Sequence, residues 1–275
     1  MDHYCVMGHP IGHSKSPWIH ARFAELTGQS LQYDKQLVPL DGFANAVQQF
    51  FAQGGRGCNV TAPFKFEAAR LADHTSERAQ LAQAANTLSF QDGTLRADNT
   101  DGAGLVNDIQ GNAGFDLAGR RILLIGAGGA SAGVLARLIE TQPASITVAN
   151  RTVEKAQSLV DRHATLGLLQ KTELLAQALK GPGADFDVII NATTSSLGGD
   201  AVPVPASTLK PGALAYDMMY GPSAQGFMTW AKEHGAQPRD GLGMLVEQAA
   251  EAFLIWRGVR PPSQQVLSEM RATLA

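Results

Sequence analysis

The sequence predicts an α/β protein of two domains: an N-terminal α/β domain, a dinucleotide-binding Rossmann domain, and a C-terminal helix that returns to the first. Three observations carry this. The turn Gly126-Ala-Gly-Gly-Ala130 sits between a strand-like apolar run at 122–125 and a helical pattern in which Leu135, Leu138 and Ile139 share a face. Short apolar runs alternate with helical patterns on both sides of it, as in a sheet built from βα units. At 275 residues the chain can bury two cores. The expected domains are 1–101, completed by a helix over about 245–275, and 102–244.

Composition narrows the class. A net charge of −3 and a pI near 6.2 argue against a nucleic-acid partner, which calls for a basic face. Cys5 and Cys58 each lie in an apolar strand-like run and read as buried thiols, not as a disulfide framework. Asp2 and His3 interrupt any signal-peptide core, and no apolar stretch is long enough for a membrane span. The expectation is a soluble cytoplasmic protein with no membrane partner; a homodimer is left open. No metal site is expected. His9 and His13 are close, but Pro10 and Gly12 put them in a loop without Cys or acidic partners.

Residues 4–7 read as a short strand ending at Gly8. Ser16 before Pro17 marks a helix start, with Ser16 as hydroxyl N-cap. Ile19, Phe23 and Leu26 follow at helical spacing, and Gly28 closes the helix. Read locally, Ser16 is a cap. A second reading makes Ser14, Ser16 and the free amides a pocket for a small carboxylate. A strand at 31–38 leads to a helix carrying Phe43, Val47, Phe50 and Phe51, which Gly54-Gly-Arg-Gly57 breaks. The strand at 58–62 is stopped by Pro63, ahead of Phe64 and Lys65. Lys65 therefore lies just past a strand end, where α/β sheets place ligands, although a lone lysine there is more often solvated.

A helical pattern covers 76–84. Strand-like runs at 86–90 and 94–97 flank Gln91-Asp92-Gly93, a hairpin signal. In Asp98-Asn-Thr-Asp-Gly102 the simplest role for Asp101 is N-cap of a helix from Ala103. Three polar side chains in a row at a domain junction suit a site equally well. The second domain offers strands at 122–125, 145–149, 187–191 and 213–216, a short one at 236–239 and a weaker one near 164–168. Their ends carry Asn150-Arg-Thr152, Asn191-Ala-Thr-Thr-Ser195, Asp217-Met-Met-Tyr220 and Asp240-Gly-Leu-Gly243, along the edge where a dinucleotide would lie. Residues 244–256 form a long amphipathic helix.

The glycine turn has the parts such a site needs. Gly126 permits the tight turn, Gly128 lets the backbone approach a pyrophosphate, and the helix start supplies amides. Ser131 stands in place of the third glycine, with Ala130 beside it. The end of the next strand selects the cofactor. An NAD-type site carries a carboxylate there for the ribose 2′-hydroxyl. Here the residues are Asn150, Arg151 and Thr152, with Lys155 one turn on. A guanidinium and a lysine suit a 2′-phosphate, so the cofactor is NADP.

Over nearly its whole length the chain resembles the shikimate dehydrogenase family. The matches are Ser14-Lys-Ser-Pro17, Asn59-Val-Thr-Ala-Pro-Phe-Lys65, Ala85-Asn-Thr87, Asp98-Asn-Thr-Asp-Gly102, Gly126-Ala-Gly-Gly-Ala130, Asn150-Arg-Thr152, Asn191-Ala-Thr193, Tyr216-Asp-Met218 and Gly241-Leu-Gly-Met244 through Gln248. The resemblance implies NADPH-dependent reduction of 3-dehydroshikimate to shikimate, on a route to aromatic amino acids. It implies that Ser14 and Ser16 hold the substrate carboxylate and that Thr61, Asn86, Asp101, Tyr220 and Gln248 hold the ring hydroxyls. It makes Lys65 the catalytic acid/base beside Asp101. NADP would be held by Gly126, Ala127, Gly128, Gly129, Ala130, Asn150, Arg151, Thr152, Lys155, Thr193, Met218 and Gly241, with Glu77 as a further contributor. The chain departs from the family pattern at His9, at Ala62 and at Gln225-Gly226-Phe227, the last in the loop after Tyr220. A relative acting on quinate or an aminoshikimate is the alternative reading. A non-catalytic sensor of NADP and shikimate-like ligands is another, and the presence of Lys65 and Asp101 speaks against it.

Overall fold

The structure is a computed structural model and describes residues 1–193 and 202–274. The chain forms two compact units, Met1–Gly104 with Leu245–Thr273, and Leu105–Met244.

The first unit begins with β1 (Asp2–Gly8), α1 (Ser16–Thr27), β2 (Leu31–Leu37), α2 (Phe43–Ala52) and β3 (Gly55–Val60). It continues through α3 (Lys65–Leu71), β4 (His74–Thr75), α4 (Glu77–Ala82), β5 (Thr87–Gln91) and β6 (Thr94–Asp98). The strands lie in the order β2-β1-β3-β5-β6-β4. β1 runs parallel to β2 and β3, while β5 is antiparallel to β3 and β6, so the sheet is mixed. The β5–β6 hairpin turns through Asp92 and Gly93, with φ of 52° and 76°, the left-handed pair such two-residue turns require. Met7, Phe43, Phe50, Cys58, Phe64 and Leu88 pack as one apolar cluster of α2, α3 and the sheet. Cys5 and Cys58, paired across β1 and β3, are buried free thiols.

The helix α5 (Asp101–Val106) carries the chain into the second unit and continues as a π-turn over Asn107–Asn112. Then come β7 (Arg121–Ile125), α6 (Gly129–Glu140), β8 (Ser145–Asn150), α7 (Val153–Gln170), β9 (Glu173–Ala178) and β10 (Phe186–Asn191). β11 (Leu209–Asp217), α8 (Gln225–Glu233) and β12 (Gln237–Arg239) complete it. All neighbours in the order β12-β11-β10-β7-β8-β9 are parallel. Numbered from β7, that is 6-5-4-1-2-3, the doubly wound order with its crossover between β7 and β10. Ile122 to Ile125 are fully buried, as expected of a central strand covered on both faces. α9 (Leu242–Arg257) carries the chain into the first unit, and α10 (Ser263–Leu274) follows.

Several elements differ from the sequence reading. No strand lies near 164–168; those residues are the end of α7, and the edge strand is β9. The glycine at 167 belongs to the helix, where a Cβ would come 2.9 Å from Leu174 Cδ1. β3 starts at Gly55, inside the run read as a helix breaker. A Cβ at Gly55 would meet the Phe50 ring at 2.3 Å, and one at Gly57 would meet Trp256 Nε1 at 2.5 Å, so both glycines admit aromatic rings against a strand. The C-terminal helix is two helices. Thr194 and Ser195 lie outside the described residues. Among the described residues no helix is long and apolar enough to cross a membrane.

Candidate active site

In the first unit the polar residues gather at the ends of β1, β3 and β6. β1 ends at Gly8, where a Cβ would sit 2.4 Å from Thr61 Cγ2; only glycine lets the two loops pack. The Thr61 amide donates to Met7 O at 3.0 Å and the His9 amide to Ala62 O at 3.1 Å. Thr61 and Lys65 are thereby carried on a short turn from β3 into α3, with Lys65 as the first helical residue. Lys65 Nζ donates to Asp101 Oδ2 at 2.5 Å, and the side chains are 18% and 6% exposed. A charge-assisted bond so sheltered from water fixes both groups.

Asp101 is not an N-cap. It is the first residue of α5, and its own amide donates to Asn99 Oδ1 at 3.1 Å. Its second oxygen, Oδ1, accepts from Asn86 Nδ2 at 2.8 Å. Asn86 is itself closely held. Its Oδ1 accepts from the Thr100 amide at 2.8 Å and from Thr87 Oγ1 at 2.9 Å. Its Nδ2 also faces Gln248 Oε1, on α9, at 3.3 Å. Behind this lies Asn59, which donates to Thr87 Oγ1 at 3.2 Å and accepts from the Tyr33 hydroxyl at 2.7 Å. Burial holds that phenol well above its usual range, so it remains a donor. Lys65, Asp101, Asn86 and Gln248 are thus one connected set. Tyr33, Asn59, Thr87 and Thr100 support it, and sequence reading did not single out those four side chains for the site. Their only signal was that Asn59, Thr87 and Thr100 lie within motifs already quoted.

Ser14 and Ser16 lie at the head of α1. Ser16 is not the cap: Lys15 occupies that position, and Ser16 is the first helical residue. Ser14 Oγ accepts from the Ser16 amide at 3.3 Å and donates to Ser16 Oγ at 3.2 Å. The pair is therefore joined, with Ser16 buried and Ser14 half-buried. Glu77 is exposed in the first turn of α4, and its assignment to the cofactor rests on the resemblance alone.

In the second unit the ends of β7, β8, β10, β11 and β12 form one edge. Gly126 has φ of +107°, and a Cβ would meet Thr193 Cγ2 at 3.1 Å. Its amide donates to Ala149 O at 2.8 Å, closing the turn against β8. Nothing lies within 4 Å of a Cβ built at Gly128, so the backbone is open to a ligand there. Gly129 and Ala130 begin α6, which points its amide end at that space. The Ser131 hydroxyl is buried without a hydrogen-bond partner beside Gly126. Arg151 and Lys155 are exposed past β8, and Asn150 Nδ2 donates to Thr152 O at 2.8 Å. Thr193 Oγ1 donates to Asn191 Oδ1 at 2.7 Å. Met218, Tyr220 and Gly241 follow β11 and β12, and the Gly241 amide donates to Met219 O at 2.8 Å. Burial raises the Tyr220 phenol, which stays protonated.

Models of known domains match three stretches: shikimate dehydrogenase substrate binding domain over 6–88, shikimate / quinate 5-dehydrogenase over 108–198, and shikimate 5'-dehydrogenase C-terminal domain over 241–274. A shikimate dehydrogenase (NADP(+)) of Acidovorax sp. (strain JS42) is 69% identical over 274 residues, covering 100% of this chain and 97% of its relative. Among solved structures, an Ael1 enzyme from Pseudomonas putida matches with a TM-score of 0.89 at 45% identity, over 98% of each chain. Shikimate 5-dehydrogenase from Thermus thermophilus, solved in complex with NADP(H) and shikimate, matches with a TM-score of 0.86 at 30% identity over 100% of both chains. The mixed sheet with its lysine–aspartate pair, the doubly wound sheet with its glycine turn, and relatives matched end to end agree: the chain belongs to the shikimate dehydrogenase family.

Proposed function

We propose that this protein is an NADP-dependent shikimate dehydrogenase, which interconverts shikimate and 3-dehydroshikimate. The observation that carries the reading is Lys65 Nζ on Asp101 Oδ2 at 2.5 Å, with the other carboxylate oxygen held by Asn86. Oxidising a secondary alcohol removes a hydride from carbon and a proton from oxygen. NADP, when bound, supplies the hydride acceptor. The protein must handle the proton. An ammonium has three N–H donors; Asp101 takes one, and the others are free for a substrate oxygen. In the reducing direction the Lys65 ammonium gives its proton to the oxygen that gains charge. In the oxidising direction the neutral amine accepts it. Asp101 holds the amine in place and offers an acceptor to a neighbouring ring hydroxyl.

The other roles follow the same chemistry. Ser14 and Ser16, at an amide-rich helix start, would bind the carboxylate. Thr61, Asn86, Tyr220 and Gln248 would bind ring hydroxyls. Asn86 already donates to Asp101, so its larger contribution is to orient that carboxylate. The second unit fits NADP on its own geometry. The space at Gly128 and the amides of α6 suit a pyrophosphate, and the exposed pair Arg151 and Lys155 suits a 2′-phosphate. The unpaired buried thiols Cys5 and Cys58 fit a reducing compartment, the cytoplasm.

Steady-state kinetics of Lys65→Ala tests the assignment. Turnover is expected to fall roughly a hundredfold or more, the usual size of an acid–base contribution, with NADP affinity unchanged. Near-normal turnover would remove Lys65 from the mechanism.

A further inference from the structure

We infer that Asp108 is a positioning residue for the dinucleotide half of the reaction: its carboxylate ties the ends of β11 and β12 together and so sets the loops that carry Met218 and Gly241. The inference rests on the placing of those two residues in the NADP site proposed above. Asp108 lies in the π-turn that follows α5 and has no exposed surface. Short π-helical segments of this kind recur at functional sites. Four donors converge on its carboxylate. Oδ2 accepts from the Tyr216 hydroxyl at 2.8 Å and from Arg239 Nε at 2.8 Å. Oδ1 accepts from Arg239 Nη2 at 2.5 Å and from Asn112 Nδ2 at 3.0 Å.

The placing of these donors gives the network its consequence. Tyr216 is two residues before Met218, and Arg239 is two before Gly241. One carboxylate therefore holds both strand ends from which the two loops leave. The loops in turn lock on each other. A Cβ at Gly241 would sit 2.3 Å from Met218 O. The next glycine answers to Asp108 itself, since a Cβ at Gly243 would lie 1.8 Å from Oδ1. Both glycines of Gly241-Leu-Gly243 thus have one steric reason each, and both reasons belong to this arrangement. Taking a carboxylate and a guanidinium out of water is costly, and apolar side chains of like volume often stabilise a fold equally well. A bidentate pair between the buried Asp108 carboxylate and the half-buried Arg239 is better suited to holding two backbones at a set distance than to adding stability.

The test uses the full chain as wild type, Asp108→Asn, Tyr216→Phe and Gly243→Ala. Melting temperature reports folding, and titration calorimetry gives NADP affinity. The primary isotope effect on kcat is measured with shikimate deuterated at the carbon that is oxidised. Tyr216→Phe removes one buried hydrogen bond and keeps the ring. It should weaken NADP binding about threefold to tenfold and raise the isotope effect, because hydride transfer slows, while the Michaelis constant for shikimate changes little. Gly243→Ala should do the same more strongly by displacing Asp108. If Asp108→Asn does not fold, these two decide. Folded Tyr216→Phe and Gly243→Ala proteins with wild-type NADP affinity and isotope effect would overturn the inference, whatever their melting temperatures. A wild type that does not oxidise shikimate with NADP would instead refute the proposed function, and this inference with it.

Discussion

Under the proposed function, Arg151 and Lys155 select the cofactor. Both are exposed just past β8, in the place where a carboxylate would serve an unphosphorylated ribose. A charge-assisted contact there contributes about 1.5–3 kcal/mol when sheltered, and less at an open surface. Arg151→Ala is therefore expected to raise the Michaelis constant for NADP about tenfold and to leave that for NAD nearly unchanged. Equal losses with both cofactors, in steady-state assays run side by side, would contradict the role. These residues can be proposed from sequence because chemistry dictates which side chains suit a phosphate. Lys65 was legible in position, at a strand end, but no local pattern shows how its amine is held. That depends on Asp101, 36 residues on, and on Asn86 holding the second oxygen. Asp108 gave no local signal at all. Its meaning comes from Arg239, 131 residues away, a separation no pattern within one helix can reveal.

At the scale of elements, reading worked where periodicity and turn chemistry agree. The strand–glycine–helix order of β7 and α6 and the Asp92-Gly93 hairpin are as the sequence reads. It failed where burial is weak. β9 is an edge strand with little buried surface, so its sequence lacks the apolar run that marks the central strands. The end of α7 exposes Leu168 and Leu169, 82% and 72% accessible, which imitates that run. The head of α1 was misread by one residue: Lys15 holds the cap position, and the hydroxyl that accepts from the Ser16 amide is that of Ser14. The two serines should consequently separate in a stability test. Ser14→Ala, which removes a hydrogen bond to the first helical amide, is expected to destabilise by about 1 kcal/mol in urea unfolding, and Ser16→Ala by clearly less. Both should weaken shikimate binding more than NADP binding. A Ser16→Ala variant as destabilised as Ser14→Ala would contradict that difference.

For the whole molecule, two sheets with separate cores were legible because each βα unit declares itself locally. The return of the C-terminal segment to the first unit was expected from its position past the last strand. Its division into α9 and α10 was not. One consequence for overall stability comes from His20 in α1. Its ring stacks on Tyr33 at 4.2 Å and 5°, and burial depresses its pKa from 6.5 to about 3. As pH falls below 6.5 the unfolded chain takes up this proton while the folded chain does not. The folded state then loses about 1.4 kcal/mol per pH unit until about pH 3. Burial lowers His163 as well, and it acts in the same direction. Urea unfolding at pH 7, 6, 5 and 4 should show a shallower fall for His20→Phe than for wild type, and equal slopes would contradict the burial argument. The central claim is tested most directly by initial rates of the purified protein with shikimate and with quinate, each against NADP and NAD. The expected result is rapid NADP reduction with shikimate, with NAD and quinate far behind; no turnover of shikimate with NADP would contradict it.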